Sequence, residues 1–424
     1  MRRILQFILK ILAKFVLKKY KPMIIGITGS VGKTSTKEAV YTVLERKFKV
    51  RRNLRNYNNE IGVPLTILGL ETAGKNIFKW MILFLKALKL ILLHTDYPEI
   101  LVLEMGADKP GDIKYLLDFV PVNIGIVTAI GEFPVHIEFF PEKDDLIEEK
   151  ANMVKYLSPF QLPNGRKSLG IAILNYDDLS VREMRDKIKP GTELIYYGFG
   201  NGAKVKLSNF EVKFSNLKDF GASFKVELNG SIVPVRINAL GKQHAYACGA
   251  SISVGVVLGI NLVEISQALK NYKVVEGRGN LIKGIKNTII IDETYNASPA
   301  AALAALEVLE QFEGRRKIAV LGDMLELGEY TEIGHRRVGE KVTKVADMLF
   351  TVGKRAKFIA EEAKRKESKL SEENIFEFDS SEKAKKVIQE KIKSKDVILV
   401  KGSRAMRMEK IIEEIKEVGL EQKA

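Results

Sequence analysis

Cysteine and histidine are scarce in this sequence, which has one cysteine, Cys248, and four histidines among its 424 residues. A single cysteine excludes a disulfide framework and any cysteine-rich metal site, and it is typical of a reducing compartment. There is no HExxH or GxSxG pattern and no Cys–His pair, so covalent nucleophilic catalysis has little support. With 46% hydrophobic and 29% charged residues, the chain is expected to form two or three globular domains.

Acidic residues are missing from two segments that carry most of the net charge of +15. Residues 1–22 contain seven Lys and Arg residues and residues 75–93 contain four, without one Asp or Glu. Both segments are also strongly apolar. Because basic and apolar side chains occur together, the sequence favours a membrane surface over a nucleic acid as partner, and we expect no nucleic-acid binding.

The N-terminal segment, residues 1–22, is predicted to form a basic amphipathic helix. Every fourth residue from Gln6 to Lys18 is polar, which makes one narrow stripe on an otherwise apolar helix. Burying the lysines of this stripe in hydrocarbon would be costly, so a spanning helix is not expected. Two interpretations stay open, namely contact of residues 1–20 with a membrane surface or packing on the protein or a partner subunit. Residues 77–93 have a similar stripe, and there a helix packed on the neighbouring domain is favoured, with a membrane-facing surface as the alternative.

Residues 26–36, GITGSVGKTST, match the phosphate-binding pattern GxxxxGK[ST] and follow a short apolar strand. Its glycines let the backbone turn and point successive N–H groups at an anion. Lys33 supplies a cation for the β- and γ-phosphates, the Thr34 hydroxyl can bind Mg²⁺, and the helix beginning at Lys33 adds its positive end. The sequence therefore predicts a nucleotide site that contains Gly29, Ser30, Val31, Gly32, Lys33, Thr34 and Ser35.

Short apolar strands that alternate with helices predict two α/β domains. Residues 23–275 are expected to form a central P-loop ATPase domain with a parallel sheet, plus a small antiparallel portion between about 192 and 240. The chain changes character near residue 276, and residues 276–424 are expected to form a Rossmann-like C-terminal domain with a doubly wound sheet.

Further polar residues follow predicted strands, at the sheet edge where α/β proteins bind ligands. Glu104 ends the strand in LVLEMG and is well placed for Mg²⁺, with a capping or salt-bridged acid as the alternative. His136 and Lys150, each taken alone, are better interpreted as surface or packing residues. The candidates in the second domain are Arg278 near its start, Asp292, Tyr295, Asn296 and Asp323 after two strands, and Lys401, Ser403 and Arg404 in a basic turn.

Six motifs, in this order, resemble the Mur ligase family of ATP-dependent amide-bond-forming enzymes, and most closely its D-alanyl-D-alanine-adding branch. They are TGSVGKTSTKE, NYNNEIGVPLTIL, LVLEMGADKPGDIKYL, DETYNASP, VLGDMLELGE and VKGSRAMRMEKI, within roughly residues 23–415. The resemblance implies a monomeric, cytoplasmic, ADP-forming ligase of peptidoglycan synthesis. Such an enzyme would add D-Ala-D-Ala or a related dipeptide donor to a muropeptide acceptor through an acyl phosphate.

The resemblance also implies a role for each matching residue. The catalytic set would be Lys33 on the phosphates of ATP, Thr34 and Glu104 on a first Mg²⁺, and His136 on a second Mg²⁺. Lys150 matches the family lysine that becomes carbamylated and then acts as a metal ligand. Tyr295 and Asn296 would lie by the adenine, and Asp323 and Arg278 would contact ribose or phosphate after domain closure. Substrate binding is assigned to Asn58, Asn59, Lys401, Ser403 and Arg404.

Two features depart from the family pattern. The family places a domain that grips the UDP end of its substrate before the nucleotide loop, whereas about 22 residues precede the loop here. We therefore hypothesise a lipid-linked or partner-held acceptor and a peripheral position at the membrane. In GKQHAYACGA, Ala245 and Cys248 stand where the family usually has Asn, and this difference weakens one nucleotide contact. His244 remains.

Two other functions stay open from the sequence. One is a ligase of the same superfamily for another acceptor, which would be lipid-linked or of the pseudomurein or folylpolyglutamate type. The other is a nucleotide-dependent, membrane-associated scaffold without ligase activity. The presence of all four catalytic candidates argues against lost catalysis, because decay would not be expected to spare the whole set.

Overall fold

The computed structural model describes residues 2–54, 57–365 and 370–417. Met1, in the predicted N-terminal segment, and residues 418–424, at the end of the predicted C-terminal domain, lie outside the described residues. The helices are α1 (Arg2–Tyr20), α2 (Lys33–Leu44), α3 (Gly62–Leu68), α4 (Ile77–Leu92), α5 (Asp112–Leu117), α6 (Lys143–Lys155), α7 (Leu179–Arg182), α8 (Lys242–Val257), α9 (Leu262–Leu269), α10 (Pro299–Glu310), α11 (Thr331–Val345), α12 (Lys357–Ala363), α13 (Ser381–Lys391) and α14 (Glu409–Ile415).

Strands make up two large sheets and one small hairpin. They are β1 (Met23–Thr28), β2 (Val50–Arg52), β3 (Ile100–Glu104), β4 (Ile124–Val127), β5 (Phe160–Gln161), β6 (Lys167–Ser168), β7 (Ile171–Asn175), β8 (Glu193–Gly198), β9 (Val205–Asn216), β10 (Asp219–Leu228), β11 (Ser231–Ile237), β12 (Asn280–Gly284), β13 (Thr288–Glu293), β14 (Lys317–Gly322), β15 (Met348–Val352), β16 (Ile375–Phe378) and β17 (Val397–Lys401).

The first sheet has nine strands in the order β11-β10-β9-β8-β7-β4-β1-β3-β2. β1 lies between β3 and β4 and is parallel to both. Helices cover both faces of this part of the sheet, so β3 and β4 are buried along their whole length and read as continuous apolar runs. The parallel sheet predicted for the central domain is therefore confirmed.

An antiparallel portion is present, but it is shorter than predicted. β9, β10 and β11 pair antiparallel, and alternate residues of β10 are buried, as expected for strands with one solvated face. The prediction was wrong for β8, which pairs parallel with both β7 and β9. Residues 176–192 connect β7 to β8 as a crossover, and a crossover brings the next strand back in the same direction.

The second sheet has six strands in the order β12-β13-β17-β14-β15-β16. β13 to β17 are parallel to their neighbours, and β12 is an antiparallel edge strand. This is the doubly wound arrangement predicted for the second domain. Helix α9, the last helix before the second sheet, ends at Leu269, and β12 begins at Asn280. The predicted boundary at about residue 275 lies between them.

Helix α1 packs on the first domain through one face. Leu9, Ala13, Val16 and Leu17 are buried at helical spacing and belong to the core that lies beneath α3. α4 is attached more loosely, because Ala87 is its one fully buried residue. α4 thus packs on the domain as expected, although it buries only a narrow stripe, and for α1 the structure contains the packing that was one of its two open interpretations. Within the described residues, no helix is long and apolar enough to cross a membrane.

Candidate active site between the two sheets

The loop between β1 and α2 forms a backbone cradle at the edge of the first sheet. Gly29 and Gly32 have φ angles of 143° and 88°, which side-chain-bearing residues rarely adopt. Gly29 also packs against β4 so closely that a Cβ atom would lie 2.1 Å from Thr128 Oγ1. The Thr128 hydroxyl in turn donates to the Val31 carbonyl, which fixes the loop to the sheet. Glycine is therefore required at position 29 by both conformation and space.

We expect Gly29→Ala to weaken nucleotide binding about tenfold or more, because a strained backbone of this kind costs about 1–3 kcal/mol and the loop must also move away from Thr128. Calorimetric titration with ADP and thermal unfolding would measure the two effects. Gly230→Ala is the matched control, since Gly230 has a φ of 79° but no atom within 4 Å of its would-be Cβ. An ADP affinity that is equal in both variants would contradict this account of the loop.

Glu104 lies directly beside the start of α2, because β3 pairs in parallel with β1 and sets Glu104 opposite Ile27. Thr34 Oγ1 donates to Glu104 Oε2 at 2.9 Å, and Asn58 Nδ2 donates to Oε1 at 3.0 Å. The side chain is 4% exposed. An acid and a hydroxyl that share one buried position are suited to a hard cation.

The charge state of Glu104 is set by opposing effects. Burial alone would raise the pKa of its carboxyl, but Lys37, Lys33 and Arg278 outweigh burial and hold that pKa below its usual value. The carboxylate is therefore ionised at neutral pH. Lys37 Nζ lies 3.9 Å from Glu104 Oε2 and is almost fully buried. Sequence analysis missed Lys37, although its place four residues after Lys33 puts it on the same face of α2.

The side chain of Lys33 folds over the loop. Its Nζ donates to the carbonyls of Gly29 at 2.7 Å and Ser30 at 3.3 Å. Burial lowers the pKa of Lys33, and the neighbouring Glu104 counteracts that effect. The cation is thus held at the mouth of the cradle formed by the loop.

Lys150 projects from α6 beneath the same loop. It is completely buried, and its Nζ donates to the Gly29 carbonyl at 3.3 Å. Within the described residues no carboxylate forms an ion pair with it. Burial, and after it the charge of Lys33, lowers the pKa of Lys150 to about 7. A large share of the molecules therefore carry a neutral amine at this position at neutral pH.

His136 contacts the second domain rather than Lys150. It has a φ of 69°, and its Nδ1 lies 2.8 Å from Glu326 Oε2 and 3.9 Å from Asp108 Oδ1. Among the described residues Nδ1 has no hydrogen bond of regular geometry, although the contact with His136 lowers the pKa of the Glu326 carboxyl. Neither Asp108 nor Glu326 was singled out from the sequence. The described residues contain no group of three or more His, Cys, Asp or Glu residues that could hold a metal ion.

The second domain contributes an arginine and an aromatic ring to the site. The Arg278 guanidinium lies 4.0 Å from the centre of the Tyr295 ring, and Arg278 Nε is buried without a hydrogen-bond partner in the described part of the chain. Asn296 follows Tyr295 and accepts a hydrogen bond from Lys401 Nζ at its carbonyl. Lys401 also pairs with Glu293 at 3.0 Å and is 2% exposed, so its charge is already balanced within the protein.

A cavity of about 550 Å³ separates the phosphate loop from the second sheet. It brings together most of the residues predicted from the sequence, some from each domain. Those that line it are Ser30, Val31, Gly32, Lys33, Thr34, Ser35, Asn58, Glu104, His136, Arg278, Tyr295, Asn296 and Lys401.

The other predicted site residues do not line this cavity. The Asp323 carboxylate accepts hydrogen bonds from the N–H groups of Arg355 and Ala356 just before α12. Ser403 Oγ accepts one from the Leu325 N–H, and the Arg404 guanidinium is 6.0 Å from the Tyr295 ring. Four others remain. Gly29 lies in the loop with its carbonyl toward Lys33 and Lys150, and the Asp292 carboxylate accepts hydrogen bonds from the N–H and hydroxyl of Thr294. Asn59 lines a neighbouring pocket of about 270 Å³, and Lys150 lies below the loop. Their contacts with ligands stay predictions.

Unpartnered polar atoms indicate what kind of ligand fits the cavity. In residues that line it, Ser30 Oγ, His244 Nε2 and Arg278 Nε are buried with no hydrogen bond of regular geometry to any described residue. Buried polar groups in proteins are nearly always paired, so these atoms fit a polar ligand. Burial lowers the pKa of His244 to about 4, so this ring is neutral. The loop N–H groups, Lys33 and the ionised Glu104 together fit a nucleotide phosphate with a divalent cation.

Comparison with known proteins agrees with this arrangement. Residues 27–79 and 85–255 match the family model for the Mur ligase middle domain, and residues 277–404 match the model for the Mur ligase glutamate ligase domain. The UDP-N-acetylmuramoyl-tripeptide–D-alanyl-D-alanine ligase of Bacillus subtilis is 29% identical over 408 residues, which cover 95% of this chain and 78% of that protein.

Two solved structures have the same architecture. The MurF ligase from Thermotoga maritima in complex with ADP superposes with a TM-score of 0.76 at 28% identity, over 96% of this chain and 83% of that one. MurF from Acinetobacter baumannii superposes with a TM-score of 0.77 at 24% identity, over 96% and 80%. Because the Acinetobacter baumannii protein is only 24% identical, its likeness to this chain is evidence for the fold alone.

Proposed function

We propose that this chain, which belongs to the Mur ligase family, joins a D-alanyl-D-alanine-type dipeptide to the carboxylate of a muropeptide acceptor at the cost of ATP. The observation that carries the proposal is one cavity in which the phosphate loop and Glu104 of the first domain face Arg278 and Tyr295 of the second. The activity for which the Bacillus subtilis relative is named supports the choice of substrates. The ADP complex of the Thermotoga maritima relative supports the nucleotide.

The proposed reaction has two steps. A carboxylate oxygen of the acceptor attacks the γ-phosphorus of ATP, and ADP leaves with the electron pair of the broken P–O bond, which gives an acyl phosphate. The donor amine then attacks the acyl carbon, loses a proton and displaces inorganic phosphate, which leaves an amide. Lys33 and the loop N–H groups would offset the charge on the phosphoryl oxygens as they transfer.

Magnesium would supply further charge neutralisation when it is bound to the phosphates. Thr34 and Glu104 are the residues that would hold the first ion, because the carboxylate is ionised and already shares a hydrogen bond with the hydroxyl. His136 and Lys150 would hold a second ion. Mg²⁺ prefers oxygen ligands, and a neutral Lys150 amine that adds CO₂ and loses a proton becomes a carbamate, whose oxygens could bind the ion. Complete burial without an ion-pair partner suits that modification.

The acceptor is proposed to enter through the pocket of about 270 Å³ beside the main cavity. This pocket shares Asn58 and Asp108 with the main cavity and is also lined by Asn59. Its described lining comes from the first domain alone, so the acceptor carboxylate would approach the γ-phosphate along that domain. Closure of the second domain over both cavities would then exclude water and protect the acyl phosphate from hydrolysis.

ADP release across a panel of substrates tests this function. The panel combines dipeptides, D-alanyl-D-alanine among them, with UDP-linked and lipid-linked muropeptide acceptors. We expect ADP release and amide product only when donor and acceptor are both present. ADP release that needs neither substrate would contradict the ligase, and nucleotide binding without any product would favour the scaffold. Turnover with the lipid-linked acceptor alone would identify the acceptor class.

A further inference from the structure

Two helices carry an unusual amount of exposed apolar surface. Four large apolar residues are exposed on α1. Eight are exposed on α4 and on Leu93, which directly follows it. They account for 12 of the 20 exposed large hydrophobic residues within the described part of the chain. Single exposed apolar residues are ordinary, but a concentration of this kind indicates an interaction surface. The residues are Ile4, Phe7, Ile11, Phe15, Ile77, Phe78, Met81, Ile82, Leu85, Leu88, Leu92 and Leu93.

The exposed residues of each helix lie on the side that faces away from the protein. On α1 they recur at steps of three and four residues, between the rows that bury Leu9 and Val16. The two helices are also joined. Lys19 Nζ donates to the carbonyls of Leu90 and Ile91, and the Tyr20 hydroxyl donates to that of Leu90. α1 and α4 therefore form a fixed pair, which we name the α1/α4 face.

The charged side chains of α1 and α4 are all basic. Three cations of α1 bind the protein itself, since Arg2 pairs with Glu60, Lys10 pairs with Asp118 and Lys19 donates to carbonyls of α4. The others are exposed and form no ion pair with any described residue. Neither helix contains an acid that could balance them. These unpaired cations are Arg3, Lys14, Lys18, Lys75, Lys79, Lys86 and Lys89.

We propose that the α1/α4 face docks on an anionic phospholipid bilayer, with both helices in the plane of the interface. Apolar side chains interleaved with unpaired lysines are what such helices present, because the former enter the acyl boundary and the latter meet the phosphates. A protein partner fits less well, since lysine is depleted in protein interfaces. A second copy of this chain would set two faces of the same charge against each other.

The docking proposal does not depend on the proposed reaction, but docking would affect that reaction. Gln6 of α1 lines the pocket of about 270 Å³ that is proposed for the acceptor. Bilayer docking would therefore hold that pocket close to the lipid headgroups. This geometry suits an acceptor that is itself anchored in the membrane.

Vesicle co-sedimentation of the full chain, without nucleotide or acceptor, tests the proposal. We expect binding to vesicles of phosphatidylcholine with phosphatidylglycerol, much weaker binding to phosphatidylcholine alone, and weakening by salt. Phe7→Glu and Leu85→Glu change residues that are 62% and 65% exposed, so the fold should persist, and each should lower the partition coefficient about tenfold. Ile333→Glu is the matched control, because Ile333 is 54% exposed on α11 of the other domain, and it should bind like the unchanged chain.

Several results would overturn the proposal. The first is that the chain does not bind the anionic vesicles. The second is that both test variants bind as well as the unchanged chain. The third is that Ile333→Glu lowers vesicle binding as much as the test variants do. A dimer that Phe7→Glu disperses, seen by sedimentation equilibrium without vesicle binding, would assign the face to a second copy instead. Because no substrate is present, failure of the ligase proposal would leave these measurements unchanged.

Discussion

Replacing Lys33 with alanine is expected to lower the rate of amide formation by about 10²–10³-fold or more, which is the loss seen when one preorganised charge-stabilising group is removed from an active site. Lys33 Nζ already lies over the loop, where it donates to the Gly29 and Ser30 carbonyls. A phosphate bound in the loop would take over those hydrogen bonds. The side chain then needs little rearrangement to meet the charge that develops during phosphoryl transfer.

The measurement for this prediction is kcat at saturating ATP, followed by ADP release and by amide product. Lys47→Ala is the matched control, because Lys47 pairs with Glu264 at the surface and both side chains are more than 40% exposed. Exposed pairs of this kind contribute little to stability. Near-normal turnover by the Lys33→Ala variant would show that the loop does not hold the reacting phosphate.

Removal of the Lys150 amine is the second change with a large expected effect. If Lys150 carries a carbamate that binds a metal ion, Lys150→Ala should lose at least about 10- to 100-fold in kcat, since even the outer groups of a metal site have effects of this size. The unchanged enzyme should lose activity when CO₂ is removed and regain it with bicarbonate. Labelled bicarbonate should give a ¹³C carbamate signal that the variant lacks.

The pH dependence of this effect has a definite sign. Burial lowers the pKa of Lys150 to about 7, so the neutral amine, which is the form that reacts with CO₂, increases as the pH rises through that value. The share of activity that bicarbonate restores should therefore be larger at about pH 8 than at about pH 6.

Lys155→Ala is the control for the Lys150 experiments, because Lys155 lies on the same helix and pairs with Glu148 at the surface. It should keep both its activity and its response to bicarbonate. If Lys150→Ala is fully active without added bicarbonate, the carbamate assignment is wrong. A bicarbonate response that does not change with pH would mean that the amine is not the titrating group.

Much of the phosphate site was predictable because its pattern is local. The helix predicted to begin at Lys33 begins there, and Thr34 contacts Glu104, seventy residues away in the chain. That contact was foreseeable because neighbouring parallel strands end at one edge of the sheet, and β3 does pair with β1. The family resemblance drawn from the six motifs is likewise confirmed by both family models.

Other parts of the site were not predictable, because they depend on how separate elements meet. The sequence does not show that His136 would lie against Glu326 of the other domain, or that Asp323 would cap the start of α12. Both contacts follow from the packing of two sheets that fold from different parts of the chain. The parallel direction of β8 has a similar origin, because its connection from β7, rather than its own residues, decides it.

By itself, the sequence determined the family, the phosphate loop and the two α/β domains, since ordered motifs and strand–helix alternation are properties of neighbouring residues. The tertiary structure alone decided what the apolar residues of the N-terminal segment do. It buries Leu9 and Val16 and leaves Phe7 and Phe15 exposed. Helical periodicity divides a segment into faces, but which face is covered depends on the surface that it meets, and that surface comes from distant parts of the chain.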